Sequence, residues 1–216
     1  VRKSYKDPIN TLSVNILGTA NILESIRSCN SVKTAIMITT DKVYKNNEDG
    51  RSYIESDPLG GHDPYSASKG ASELVFSAYS RSFFSSRMDL GAATTRAGNV
   101  IGGGDWAENR IIPDCIRAIE SNVPIKLRNP TATRPWQHVL EPINGYLILG
   151  VKLYENPEMY SGSWNFGPST SEVKTVEEVA NDIISYIGKG SVQIENLKGV
   201  QHEAKLLQLN CDKAKQ

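Results

Sequence analysis

The chain lacks an excess of charge of either sign: 24 Lys+Arg stand against 24 Asp+Glu in 216 residues. Nucleic acids and anionic membranes recruit clustered surplus cations, so net neutrality offers neither of them an electrostatic footprint. No apolar run approaches the length needed to cross a bilayer, and the first residues do not read as a secretory signal. Cysteine is scarce. Cys29, Cys115 and Cys211 are isolated and odd in number, which argues against a disulfide framework and for a reducing, cytoplasmic setting. His62, His138 and His202 lie far apart without ligand spacing, so no metal site is expected. Internal repeats and low-complexity tracts are also missing. The chain begins at Val1 rather than Met and runs almost at once into an amphipathic segment, which reads as the interior of a longer protein.

What is present is an alternation of elements. Asp7-Pro8 forms a helix start, with Asp7 as cap and Pro8 at the first helical position. Ile9, Leu12, Ile16, Ala20, Leu23 and Ile26 follow at three- and four-residue spacing and predict one buried stripe on a helix ending near Cys29. Ala35 to Ile38 is a short continuous apolar run, the mark of a strand covered on both faces. Helices are expected over 65–84, 111–120 and 141–154, and strands over 91–95 and 163–166. Thr175 and Glu178 have capping-box spacing and open a further helix, before short strands near 192–195 and 206–209. This order predicts an α/β fold on a largely parallel sheet. Two connections, 45–64 and 98–110, exceed the usual loop length. Both follow strands, where open α/β sheets bind ligands.

Tyr65 and Lys69 stand four residues apart on a predicted helix and so share a face. An ammonium beside a phenol favours the phenolate, which would bring Tyr65 toward the range of a proton-transfer catalyst. Nine Tyr and 14 Lys would supply about 0.6 pairs at this spacing by chance, so the pair means little alone. Context adds to it. The 35–38 strand ends in Thr39-Thr40-Asp41-Lys42, a hydroxyl, carboxylate and ammonium cluster at a strand's carboxyl end, although a plain turn would use the same residue types.

Thr39 to Lys69 resembles the active-site segment of the extended short-chain dehydrogenase/reductases that act on nucleotide sugars. Asn15-x-x-Gly18-Thr19, Arg96-x-x-Asn99, the Arg134 to Val139 segment and Asn165-x-Gly167 resemble further motifs of that family, in its order. The resemblance implies a Rossmann-like parallel sheet flanked by helices, with a smaller α/β substrate-binding part. Residues 1–99 would belong to the NAD-binding domain, and 100–216 mostly to the nucleotide-sugar part, with segments returning to the sheet. Asp41-Lys42, together with 60–65 and 99–106, is similar to the branch of the family that dehydrates CDP-glucose.

That branch implies oxidation at C4, loss of water across C5–C6 and reduction at C6, with NAD retained throughout. Thr40, Asp41, Lys42, Tyr65 and Lys69 would be catalytic, Tyr65 and Lys69 would also bind cofactor, and Thr40, Asn99 and Arg134 would bind substrate. Asp41 would protonate the departing 6-hydroxyl. Lys42 would act as base at C5 if neutral, or steady the enolate if charged. Gly102 to Gly104 could cradle phosphate or form a plain loop. Asn15 reads as a structural tether and Cys115 as core. Rival readings stay open: another nucleotide-sugar 4,6-dehydratase or a 4-epimerase of the same family, and a nucleotide-binding module without activity. A homodimer or homotetramer is expected. The family's Gly-rich turn does not occur ahead of these motifs, so these 216 residues alone are expected to bind NAD weakly.

Overall fold

The computed structural model describes residues 1–169, 173–195 and 206–216. His202 lies outside them. Helix α1 (Arg2–Lys6) leads to α2 (Pro8–Leu12), whose cap is Asp7: its carboxylate accepts the Asn10 N–H at 3.2 Å. A π-helical turn over Ser13–Leu17 joins α2 to α3 (Gly18–Ser28). The single buried stripe does not survive that turn. A wider turn rotates the face that follows it, so Leu23 and Ile26 are buried while Ile9 is 75% exposed.

The sheet comes next. β1 (Thr34–Ile38), β3 (Gly91–Ala97) and β8 (Gly162–Phe166) pair in parallel in the order β1-β3-β8, with β2 (Ser52–Tyr53) lying apart. Ile38 stands opposite Thr95 and Arg96 opposite Asn165. Burial on both faces belongs to the central β3, not to β1. As an edge strand among the described residues, β1 leaves Ile38 59% exposed.

One face of the sheet is covered by α3 and α4 (Pro64–Tyr79), where Leu23, Phe76, Phe84 and Ala92 pack together. The other face is covered by α6 (Leu140–Glu155), through Leu149 and Leu153 on Ala93 and Trp164. Between β3 and α6 come β4 (Val100–Ile101), α5 (Ile111–Glu120), β5 (Ile125–Leu127), β6 (Thr133–Arg134) and β7 (Gln137–His138). After α6 the chain forms α7 (Pro157–Tyr160), then β8, β9 (Lys174–Thr175), α8 (Val176–Ile187), β10 (Val192–Ile194) and β11 (Gln208–Leu209). The capping box at Thr175 and Glu178 is formed in both directions. A second core joins α5, β5, β10 and α8 through Cys115, Ile119, Ile125 and Ala180.

Cys115 is core, as expected, and burial pushes its thiol and that of Cys211 up to about 11. Unfolded thiols ionise near 9, so the stability these groups contribute is complete below that pH and declines as the pH climbs to about 11. The urea midpoint should therefore fall across that window, and less steeply in Cys115→Ala.

Candidate active site

β1 ends at Ile38, and the chain stays tied to the sheet for one more residue through the Thr39 N–H on the Thr95 carbonyl, 2.8 Å. Thr40 then caps a single 3-10 turn over Asp41–Val43. Its hydroxyl donates to Asp41 Oδ1 at 3.0 Å and accepts the Lys42 N–H at 3.4 Å. Lys42 Nζ reaches the same Oδ1 at 3.2 Å. Asp41 is fully buried, and its Oδ2 takes no hydrogen bond among the described residues. Local structure thus sets hydroxyl, carboxylate and ammonium within one turn.

Tyr65 is delivered by the first turn of α4. Asp63 caps that helix, with Oδ1 accepting the N–H groups of Tyr65 and Ser66 at 3.0 Å each. The Tyr65 N–H is shared with Ser4 Oγ at 3.1 Å, so the buried Ser4 of α1 holds the same turn. Gly61 is required here. A Cβ on it would stand 2.4 Å from the Ala67 nitrogen, inside the helix backbone. Asn15 is a tether, as expected: its Nδ2 donates to Ser68 Oγ at 2.8 Å.

These groups open onto one cleft of about 1390 Å³. It exceeds the usual range for a single small ligand and has room for two side by side. Thr40, Asp41, Lys42, Tyr65, Asn99 and Arg134 all line it. Lys69 does not. It sits one turn further along α4, donating from Nζ to the Ile38 carbonyl at 3.3 Å. Arg134 is buried on β6 with Nη1 on the Thr133 carbonyl, 2.7 Å, and Asn99 Oδ1 is buried without a partner among the described residues. Of the two long connections, 98–110 lines the cleft and 45–64 does not. The latter instead folds back beneath the strand ends, where its Tyr53 stacks on Tyr44. Of Gly102 to Gly104, only Gly102 reaches the wall.

Electrostatics correct one expectation. Burial pushes the Tyr65 phenol above its ordinary value, against the pull of the hydrogen bond with Thr40 and of Arg110. Lys69 turns its ammonium to the Ile38 carbonyl. Its own ammonium is lowered by burial and raised by Glu73. Although the chain is neutral, the cleft gathers eight Lys and Arg against four Asp and Glu. The described residues hold no cluster of metal-ligating side chains, and no described helix is long and apolar enough to cross a membrane.

Sequence reasoning passed over Ser4, Asp63, Glu73 and Arg110. Asp63-Pro64 repeats the Asp7-Pro8 cap signal and was legible on that ground. The others depend on contacts made only in three dimensions.

Gly98 fits the strand end against Asp41. A Cβ there would lie 2.4 Å from Pro135 Cγ and 3.2 Å from Asp41 Oδ2. Gly98→Ala should destabilise the fold by about 1–3 kcal/mol in thermal unfolding, as overpacking does, and displace the carboxylate.

The model of the NAD dependent epimerase/dehydratase family matches residues 1–161. The chain belongs to that family. Among family members it is 44% identical, over 99% of its length, to the CDP-glucose 4,6-dehydratase of Salmonella typhimurium, of which it spans 61%. The dTDP-D-glucose 4,6-dehydratase of Dictyostelium discoideum is 33% identical over 56% of the chain and 29% of that protein. The fold superposes on the dTDP-glucose 4,6-dehydratase of Streptomyces venezuelae, solved with NAD and TYD bound, with a TM-score of 0.81. There the identity is 24%, over 99% of this chain and 62% of that one. A UDP-N-acetylglucosamine 4-epimerase from Methanobrevibacter ruminantium gives 0.83 at 20% identity, over 100% and 66%. The family's Rossmann-type sheet is thus shared by enzymes of two kinds, and the site must distinguish them.

Proposed function

We infer that the native protein dehydrates CDP-glucose to CDP-4-keto-6-deoxyglucose. The observation that carries this reading is the Thr40-Asp41-Lys42 turn facing the same cleft as Tyr65. Epimerisation at C4 needs a proton carrier at the 4-hydroxyl and nothing at C5 or C6, whereas dehydration needs an acid and a base there as well. The 44% identity to a CDP-glucose 4,6-dehydratase supports the choice of nucleotide.

NAD would be held from this chain by Tyr65 and Lys69, and the cleft's volume and cationic lining suit it beside a nucleotide sugar. When bound, it supplies reversible oxidation at C4 and the matching reduction at C6. Tyr65 takes the 4-hydroxyl proton, with Thr40 orienting it. Asp41 Oδ2, the oxygen without a partner, hands a proton to the departing 6-hydroxyl. Lys42 removes the C5 proton. Its Nζ lies 3.2 Å from Asp41 Oδ1, so one proton passed along that pair gives a neutral amine and a neutral acid together. After elimination Lys42 holds the C5 proton and Asp41 is ionised; Lys42 gives a proton back to C5 as C6 is reduced, and the proton that Tyr65 took from the 4-hydroxyl restores the pair. Asn99 and Arg134 contact the substrate, the planar guanidinium suiting a diphosphate. Residues 1–99 form the cofactor side and 100–216 mostly the sugar-nucleotide side. Outward apolar residues such as Val14, Leu17 and Leu74 support pairing of two copies through α3 and α4. Function in the cytoplasm fits the free cysteines.

The test supplies the native full-length protein and NAD with CDP-, dTDP-, UDP- and GDP-linked glucose, and identifies products by NMR. A 4-keto-6-deoxy sugar formed fastest from CDP-glucose is expected. A C4 epimer, or faster turnover of another nucleotide, overturns the reading.

A further inference from the structure

A buried acid on α4 has no part in the chemistry just described. Glu73 lies on α4 one turn beyond Lys69 and two beyond Tyr65, so the three share a face. Its side chain is 1% exposed. The carboxylate gathers donors from all three strands of the sheet. Thr39, just past β1, donates to Oε1. Thr94 and Arg96 of β3 donate to Oε2 at 2.8 and 2.7 Å, and Ser163 of β8 does so at 3.3 Å. Arg96 is fixed in turn by the Tyr44 hydroxyl at 2.9 Å and the Glu55 carbonyl at 3.0 Å. Tyr44 passes the network to Asn165 at 2.6 Å.

Packing alone does not call for such a group. Apolar residues of similar volume commonly replace a buried ion pair with no loss of stability. What the carboxylate does do is tie the residue next to Thr40 to the helix that carries Tyr65 and Lys69. We propose that Glu73, paired with Arg96, is a positioning residue, which clamps the Thr39–Thr40 strand end to α4 and keeps a negative charge one turn from Lys69.

The proposal rests on the reading above, in which Thr40 and Tyr65 handle the 4-hydroxyl proton and Lys69 holds the cofactor. Around Lys69 the facing groups are the Ile38 carbonyl of β1 and Glu73 of α4, and burial and Glu73 pull its ammonium in opposite directions. Around the Glu73–Arg96 pair stand Tyr44, Glu55 and Lys213. Neutralising Glu73 therefore leaves burial unopposed at Lys69, and a Gln there has one acceptor oxygen for the donors that two carboxylate oxygens now share, Thr39 among them.

The test uses Glu73→Gln and Glu73→Asp in the native full-length protein, with two readouts. The first is the titration of Lys69, followed by NMR of protein carrying 13Cε-lysine and assigned with Lys69→Arg, which needs neither cofactor nor turnover. The second is kcat and KM on CDP-glucose. In Glu73→Gln the Lys69 midpoint should move to lower pH, and kcat should fall about a hundredfold, the effect of a misplacement near 1 Å, with KM within about twofold. Glu73→Asp keeps the charge and loses reach, so it should return the midpoint and not kcat. An unmoved Lys69 midpoint in folded Glu73→Gln overturns the proposal, whatever happens to kcat. Should that variant fail to fold, the apolar pair Glu73→Leu/Arg96→Met carries the same two readouts. If the unaltered protein does not dehydrate CDP-glucose, the functional reading fails while the Lys69 titration still decides the placement.

Discussion

Replacing Tyr65 by Phe is expected to lower turnover by about 10² to 10⁴, the usual contribution of a positioned proton carrier, while leaving the fold in place. The ring is held by backbone and not by its hydroxyl: Asp63 and Ser4 both accept the Tyr65 N–H, and neither bond involves the phenol. What the substitution removes is the group that faces Thr40 in the cleft. The pH dependence follows from the raised phenol. Burial favours its neutral form, so the phenolate is scarce at neutral pH and grows as the pH rises. Activity of the unaltered protein should climb on the alkaline side, and the residual activity of Tyr65→Phe should not. Stability moves the other way. A phenol raised in the fold contributes stability that is complete below the ordinary tyrosine range and lost as the pH climbs above it, and Phe removes that loss. A pH–rate profile and denaturant midpoints at matched pH values check both. Turnover within about threefold of the unaltered protein would remove Tyr65 from the mechanism.

The residues behind that prediction were unequally legible. Thr40, Asp41, Lys42 and Tyr65 were readable because each lies in a local signal: a polar cluster closing an apolar run, or a residue at helical spacing from a partner. The fold's long elements were readable for the same reason, and the caps at Asp7 and Thr175 formed as their chemistry required. Lys69 was placed on the correct face, yet the Tyr65 phenol it was expected to lower is raised by burial. Sharing a helix face does not say which neighbour a long flexible side chain will choose, and here it chose the Ile38 carbonyl. The two-residue strands β4, β6, β7 and β9 were invisible, since a pair of residues has no period and is ordered only by a distant partner. Ser4 meets Tyr65 across 61 positions. Glu73 carries no local sign of burial at all, because its burial is bought by Arg96 on another element. The misjudged β1 belongs to the same class: an apolar run signals a strand and not its place in the sheet.

Asp41→Asn should separate the steps of the reaction. The amide oxygen can still accept from Thr40 and Lys42, so the 3-10 turn has the partners it needs. Lost is the transferable proton at the position of Oδ2, which the departing 6-hydroxyl requires. Formation of the 4-keto-6-deoxy product should drop by about 10² to 10⁴. Chemistry at C4 depends on Tyr65 and should persist, and C5 exchange should persist wherever solvent base takes the Lys42 proton that Asp41 accepts in the unaltered protein. In deuterium oxide, CDP-glucose recovered from the variant should therefore carry deuterium at C5 while keeping its 6-hydroxyl, a result that NMR reads directly. If C5 exchange disappears together with product even when solvent base is abundant, the division of labour between Asp41 and Lys42 is wrong. If product forms at the original rate, another group supplies the proton. The cleft then offers Asp105 and Glu108 as acids to test next, since both line it within the 98–110 segment. Lys42→Met gives the complementary pattern: C5 exchange should vanish with product, because the amine is the group that accepts the C5 proton.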